Sequence, residues 1–193
     1  FKIFFFFLDI QVIHNFVDIT RFSRKPIDAF RKALAPNGER ILIHASNFRK
    51  IKRVLDVVEI FNEVQKEIPA KLLFVGDGPE RQTAEELSRK LNICDKIQFV
   101  GKQEQMEDIL AIGDLFLLTS EYESFGLAAL EAMASGVPVV STNAGGLTEI
   151  NIQGKTGYMA DVGDVKAMSQ YAIEILKDDE VLKTFKKKAA EHA

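Results

Sequence analysis

The stretch "DLFLLTSEYESFGLAALEAMASGVPVVST", Asp114 to Thr142, sets out a strand, a loop, a helix and a second strand in order. Residues 114–120 and 137–142 are apolar runs without alternation, the pattern of strands covered on both faces of a parallel sheet. Between them Gly126 leads a helical run over 126–135. One residue resists this reading. Glu131 stands among Leu127, Ala128, Ala129, Leu130, Ala132 and Met133, where burying a carboxylate without a partner is costly. Either it escapes to solvent on a narrow polar face, or something polar waits for it.

The same alternation extends outward in both directions. Further strands are expected at 40–46, 70–76, 96–101 and 156–160, and helices at about 51–67, 79–91, 103–112 and 164–177. Connections are short and carry Gly, Pro, Asn and Ser. The pattern predicts one α/β domain, a Rossmann-like doubly wound parallel sheet with its repeating part at about 38–178 and a tail to 193. Residues 1–37 read as a linker segment, with Pro26, Pro36 and "PNG" marking its end.

Composition bounds the function. The chain has 193 residues, 47% hydrophobic and 27% charged, with a net charge of −3, which gives no overall pull toward nucleic acid or anionic membrane. No stretch approaches the roughly 20 apolar residues that a membrane helix requires. A single cysteine, Cys94, excludes an intrachain disulfide and fits a reducing compartment, the cytoplasm. Cys94 is expected to be a small buried residue, and His44, inside a strand, a hydrogen-bonded core or cleft histidine. The 15 Phe and four Met read as core. "FKIFFFFLDIQ" reads as a buried strand or a chain end rather than a signal peptide. "KDDEVLKTFKKKAAEHA" reads as a solvated amphipathic helix that stops without a capping glycine, so the chain looks cut at both ends.

In doubly wound sheets the ligand sits off the carboxyl ends of the strands, and the unusual residues collect in those loops. After the first strand, "SNFRKIKR" places Arg49, Lys50, Lys52 and Arg53 at the opening of a helix. Cations oppose the helix dipole there, which suggests an anion held between them and the backbone N–H groups; a solvated basic patch is the alternative. After the second strand, "VGDGPER" carries Gly76 and Gly78 but lacks the third glycine of a dinucleotide fingerprint, so a tight strand-to-helix turn is the better reading. "FVGKQEQ" offers main-chain groups at Val100, Gly101 and Lys102, where a plain turn competes with recognition of a base edge. In the fourth loop, eight residues along a helix turn through about 800°, so Glu123 and Glu131 would not share a helical face. If the helix begins near Phe125–Gly126, Glu123 lies in the loop above the strand end and Glu131 on the helix. The N–H groups of Phe125, Gly126 and Leu127, beside Ser124, then form a site for a phosphate or sugar oxygen. Two ionised carboxylates are pure acceptors and suit a polyhydroxylated ligand.

The motif "ExFGLxxLEAMAxGxPVV" after a buried strand resembles the E-x7-E signature of retaining glycosyltransferases of the GT-B fold, the glycogen-synthase-like group that uses nucleotide-sugar donors. Other pieces fall in that group's order: "NFVD" at 15–18, "VGDGPE", "FVGK", "GVPVVST", "GG" before Glu149, and "GxTGY" at 154–158. The resemblance covers about residues 12–180 and makes this the C-terminal, donor-binding half of such a fold. It implies that Arg49 and Lys52 neutralise the donor diphosphate, although the usual arginine position, five residues before the lysine, is Asn47 here. It further implies that Glu123 contacts the transferred sugar, Glu131 the ribose, and the main chain around Val100–Lys102 the uracil. Gly76 would edge the nucleotide pocket and "NAGG" (143–146), with Gly145 and Gly146, would line the cleft wall. Within the family, "SNFRKIKR", "LLFVGDGPE" and "ESFGLAALEAMASGVP" are most similar to the enzymes of bacillithiol biosynthesis. That implies a UDP-sugar, N-acetylglucosamine as the sugar and L-malate as the small hydroxyl acceptor.

No Asp-x-Asp occurs, so fixed cations in place of a divalent ion are the simpler expectation, with no metal and no cofactor beyond the donor. The acceptor-side groups would come from an N-terminal domain outside this chain, without which the chain is expected to be inactive. The phenylalanine-rich start offers a surface for that domain or for another copy in a homo-oligomer. Two alternatives stay open: a non-catalytic sugar-nucleotide-binding or regulatory module on the same fold, and, more distantly, an NAD-dependent dehydrogenase.

Overall fold

The computed structural model describes residues 15–23 and 28–193. The phenylalanine-rich start and Pro26 lie outside these residues. A six-stranded, wholly parallel sheet has the order β3-β2-β1-β4-β5-β6. Its strands are β1 (Arg40–Ser46), β2 (Ala70–Gly76), β3 (Ile97–Gly101), β4 (Leu115–Leu118), β5 (Val139–Thr142) and β6 (Gly157–Ala160). The helices are α1 (Asp28–Leu34), α2 (Val54–Glu67), α3 (Arg81–Lys90), α4 (Met106–Ala111), α5 (Leu127–Ala134), α6 (Leu147–Ile150), α7 (Val165–Lys177) and α8 (Asp179–His192).

The absence of alternation in the strands now has its cause. Successive side chains on a strand point to opposite faces, and here both faces are covered. Leu42 of β1 joins a core with Val57, Phe61, Ala172 and Leu176 from α2 and α7. Ile41 and Ile43 join the other, with Leu110, Ala129 and Met133 from α4 and α5. The chain winds outward from β1 to β3, then returns and winds from β4 to β6. Strand order therefore reverses between β1 and β4, whose loops flank a crevice at their carboxyl ends.

Three local readings change. The expected helix from residue 51 is split into a 3-10 turn, Lys50–Lys52, and α2 beginning at Val54, with Arg53 left-handed at φ +48° between them. The cause is tertiary: the Thr119 hydroxyl donates to the Lys52 and Arg53 carbonyls at 2.9 and 3.0 Å, and the Glu121 N–H to the Ile51 carbonyl at 2.8 Å. Cys94 is exposed rather than buried, because Ile93 beside it takes the inward position at the turn into β3. The tail is not merely solvated. α8 packs on both α7 and α5, burying Leu182 and Phe185 in one core and Ala189 in the other.

The described part of the segment before β1, which carries α1, also docks. Phe22 and Ala35 are buried with Ile41 and Ile43. At the edge opposite the crevice, buried Asp114 accepts from Arg31 at 2.7 Å, Lys186 at 2.6 Å and the Ile41 N–H at 2.9 Å. Burial alone would raise its pKa, but the Lys186 and Arg31 charges outweigh that and hold it below the ordinary value of 3.8.

Candidate functional site

The loops after β1 and β4 meet at the switch point. There Lys52 Nζ lies 2.5 Å from Glu123 Oε1, and Ser120 Oγ donates to the same oxygen at 2.7 Å. Both charged side chains are mostly buried, at 19% and 14% exposure, so the pair is screened less than one in open water. Thr142, at the end of β5, donates to the Ser120 carbonyl at 2.7 Å, so three adjacent strand ends hold this loop in register. His44 lies beneath. It is fully buried, with Nδ1 2.9 Å from the Leu117 carbonyl and Nε2 2.8 Å from Ser46 Oγ. Burial lowers its pKa to about 4, so at neutral pH it is uncharged, donating through Nδ1 and accepting through Nε2, as the core-histidine reading expects.

Of the four cations in "RKIKR", two are engaged with carboxylates. Lys52 holds Glu123, while Arg53 is taken by Asp56 at 2.7 Å and Glu121 at 3.3 Å and so serves the fold. Arg49 and Lys50 are exposed. Asn47 is also exposed, and the next residue, Phe48, adopts φ +38°. That conformation is costly for a bulky side chain; here the Phe48 ring is fully buried edge-on to Phe74, 5.4 Å between centroids.

The tip of α5 is bare. Gly126 caps it at φ +92° without a side-chain bond, and a Cβ there would come within 2.6 Å of Leu147 Cδ2. The N–H groups of Phe125, Gly126 and Leu127 have no acceptor among the described residues. Behind this loop stand Gly145 and Gly146: a Cβ on the first would fall 2.1 Å from the Glu123 carbonyl oxygen, and one on the second 2.6 Å from the Ser124 oxygen. The Gly146 N–H donates to the Glu123 carbonyl at 2.9 Å. Without side chains, the two glycines let the Glu123–Phe125 backbone pack directly against their own.

Gly76 and Gly78 answer the dinucleotide question. Their Cβ positions would fall 1.8 Å from the Ser46 carbonyl oxygen and 2.1 Å from that of Asn47. They serve close packing of the β1 loop against the β2 loop, and the Glu80 N–H seals it by donating to the Phe48 carbonyl at 3.0 Å. At the end of β3, Gly101 turns at φ +69°, the Val100 carbonyl accepts from Gln103 at 2.6 Å, and Lys102 is exposed.

Glu131 is half-buried on α5 and hydrogen-bonds to no described side chain. Burial raises its pKa, Arg21 of the linker segment pulls it down, and Glu107 of α4 pushes it up. Glu131 thus lies within electrostatic reach of Arg21 and of Glu107 at the start of α4. Among the described residues no cluster of three or more His, Cys, Asp or Glu is placed to hold a metal ion, and no helix is long and apolar enough to cross a membrane.

Sequence reasoning missed Ser120, which donates to the Glu123 carboxylate, Thr119 and Thr142, which brace the loops around it, and Arg21, which binds Glu107. The hydroxyls directly after the apolar runs "LFLL" and "PVV" were the available signal.

The structure is a Rossmann-like α/β domain with the Lys52–Glu123 pair and the start of α5 at the switch point of its parallel sheet. The chain belongs to the glycosyl transferases group 1 family, whose profile matches residues 27–192. It is 46% identical over 184 residues to the N-acetyl-alpha-D-glucosaminyl L-malate synthase of Bacillus anthracis, covering 95% of this chain and 48% of that protein. The chain thus spans about half the length of this relative. Among solved structures, Anabaena Alr3699/HepE in complex with UDP and glucose superposes with a TM-score of 0.85 at 24% identity, over 94% of this chain and 51% of that one. A mutant of S. aureus TarM, crystallised with Fondaparinux, alpha-GlcNAc-glycerol and UDP, gives 0.77 at 25% identity, over 80% and 32%.

Proposed function

We propose that this chain is the donor-binding half of a retaining glycosyltransferase that moves N-acetylglucosamine from its UDP-activated form to a small hydroxyl acceptor, L-malate. One observation carries the reading. Lys52, Glu123 and the amides at the tip of α5, which have no acceptor among the described residues, meet at the switch point, and Glu131 lies further along the same helix. The sugar and acceptor rest on the name of the 46% identical relative, and the uridine on the UDP complexes of the structural neighbours.

The departing diphosphate gains negative charge as its bond to the sugar breaks. Lys52, Arg49 and the α5 tip are fixed donors for that charge, arranged before the reaction begins. Glu123 accepts from hydroxyls of the transferred sugar, and Glu131 from the ribose. The chain groups around Val100–Lys102 face the uracil, Gly76 edges the pocket, and Gly145 and Gly146 back the loop that carries Ser124 and Phe125. Lys52 exchanges Glu123 for phosphate when donor enters. Same-face attack retains the anomeric configuration, the acceptor losing its proton as the diphosphate leaves. No metal or further cofactor is needed in this scheme. An N-terminal domain supplies the acceptor side, and the lone cysteine fits work in the cytoplasm.

Calorimetry with UDP-N-acetylglucosamine, UDP-glucose and GDP-mannose tests the reading. Wild type should bind UDP-sugars weakly, and Glu131→Ala should lose at least about tenfold in affinity, as expected for a ligand deprived of charge-assisted hydrogen bonds. Equal binding by Glu131→Ala, or preferential binding of NADH, would refute it.

A further inference from the structure

Two hydrogen bonds meet on one oxygen of Glu123. Oε1 accepts from Lys52 Nζ at 2.5 Å and from Ser120 Oγ at 2.7 Å, while Oε2 accepts none from the described residues. The two donors differ in freedom. Lys52 stands on the 3-10 turn with its backbone held, since its carbonyl accepts from Thr119 Oγ1 at 2.9 Å. Its long side chain, 19% exposed, keeps the freedom to swing. Ser120 has a short side chain with a single torsion and is fully buried. Its carbonyl accepts from the hydroxyl of Thr142, also fully buried, at 2.7 Å, so the end of β5 anchors it from behind. Of the two donors, Lys52 is the one that can leave.

We propose that Ser120 is a positioning residue of the transferred-sugar subsite: it keeps Oε1 of Glu123 hydrogen-bonded after Lys52 has moved to the diphosphate, and so leaves Oε2 to accept from the sugar. The proposal rests on the roles given to Glu123 and Lys52 above. Without Ser120, the departure of Lys52 would strip a carboxylate only 14% exposed of both its donors, and a largely buried charge without donors is costly. A hydroxyl suits the task. It carries no charge for the incoming phosphate to attract, and a short side chain loses little entropy by staying in place. The serine thereby selects which carboxylate oxygen meets the ligand, and the exchange of Lys52 from carboxylate to phosphate proceeds without loosening Glu123.

The test measures UDP-N-acetylglucosamine and UDP by calorimetry and uridine by NMR titration, on wild type, Ser120→Ala, Glu123→Ala and the double variant. Ser120→Ala should weaken binding of the UDP-sugar about three- to tenfold, less than a whole hydrogen bond to a charged group because the ligand keeps its own contacts. Uridine, which has neither diphosphate nor transferred sugar, should bind as it does to wild type. In the Glu123→Ala background the same substitution should change nothing further, since the serine acts through that carboxylate. A merely structural serine predicts otherwise: uridine would weaken along with the UDP-sugar, and the loss would persist without Glu123. Either result overturns the proposal. If alanine unfolds the domain, Ser120→Cys keeps nearly the same volume with only a weak donor and should give the same pattern. Glu123→Ala separates the two levels, and should lower the affinity for UDP-N-acetylglucosamine relative to that for UDP. If that ratio stays at its wild-type value, the sugar role of Glu123 fails and the role of Ser120 with it. If the ratio falls while Ser120→Ala binds the UDP-sugar normally, only the role of Ser120 falls.

Discussion

Replacing Asp114 by alanine should destabilise the domain by about 3–5 kcal/mol, the usual cost of removing one partner from a buried ion pair. The structure supports the upper half of that range. The side chain is 3% exposed and accepts from two cations, at 2.7 and 2.6 Å, and from the N–H of Ile41, a fully buried residue. Alanine leaves that amide without its acceptor, about 1–3 kcal/mol by itself, and takes the carboxylate from Lys186, whose side chain is 11% exposed. Asparagine keeps an acceptor for Ile41 and Arg31 but turns its NH2 on Lys186, so by lost charge and one lost hydrogen bond it should cost about 2–3 kcal/mol, still less than alanine. Because Arg31 lies on α1 and Lys186 on α8, the loss should loosen both before the sheet. Urea unfolding followed by circular dichroism measures the stability, and hydrogen exchange locates the loosening. The pH dependence has a definite sign. The folded-state pKa lies below the ordinary 3.8, so the contribution is full above the unfolded value and is lost as pH falls through the folded one. Asp114→Asn should therefore flatten the acid limb of the stability curve. A loss under about 1 kcal/mol for alanine, the scale of a surface pair, would refute the reasoning.

Two further predictions concern the site. Glu123→Gln frees Lys52 from its carboxylate, so calorimetry should show UDP bound several-fold tighter than by wild type and the UDP-sugar bound less well relative to UDP; weaker UDP binding would count against partner exchange by Lys52. Gly145→Ala places a Cβ 2.1 Å from the Glu123 carbonyl oxygen at a residue with φ +57°, and should cost about 1–3 kcal/mol in thermal unfolding, the cost of a strained backbone position, together with donor binding. An unchanged melting temperature would show that the wall is not rigid.

Much of the architecture could be read directly along the chain. The β1 and β2 boundaries fall where the apolar runs "RILIHAS" and "AKLLFVG" begin and end, and β4 and β5 lie inside the expected runs with their ends trimmed. The helix expected at 126–135 is α5, Leu127–Ala134. Those features depend on period and on local punctuation. Arg53 is the counterexample. Its neighbours read as a continuing helix, yet loop carbonyls captured by Thr119 break it there. Glu131 stood out in the sequence because it interrupted an apolar run, whereas Arg21 did not, for nothing in "DITRFSR" marks one cation as important.

By itself the sequence determined most of the strands and the longer helices, the parallel two-layered cover of the sheet, and the loops in which polar residues gather. Each of these follows from side chains a few positions apart. Only the tertiary structure decided the partners: Lys52 with Glu123 across 71 residues, Arg21 with Glu107 across 86, Arg31 and Lys186 on Asp114. A charge's partner is set by the distance through space after the sheet has wound, and strand order, which reverses between β1 and β4, fixes that distance.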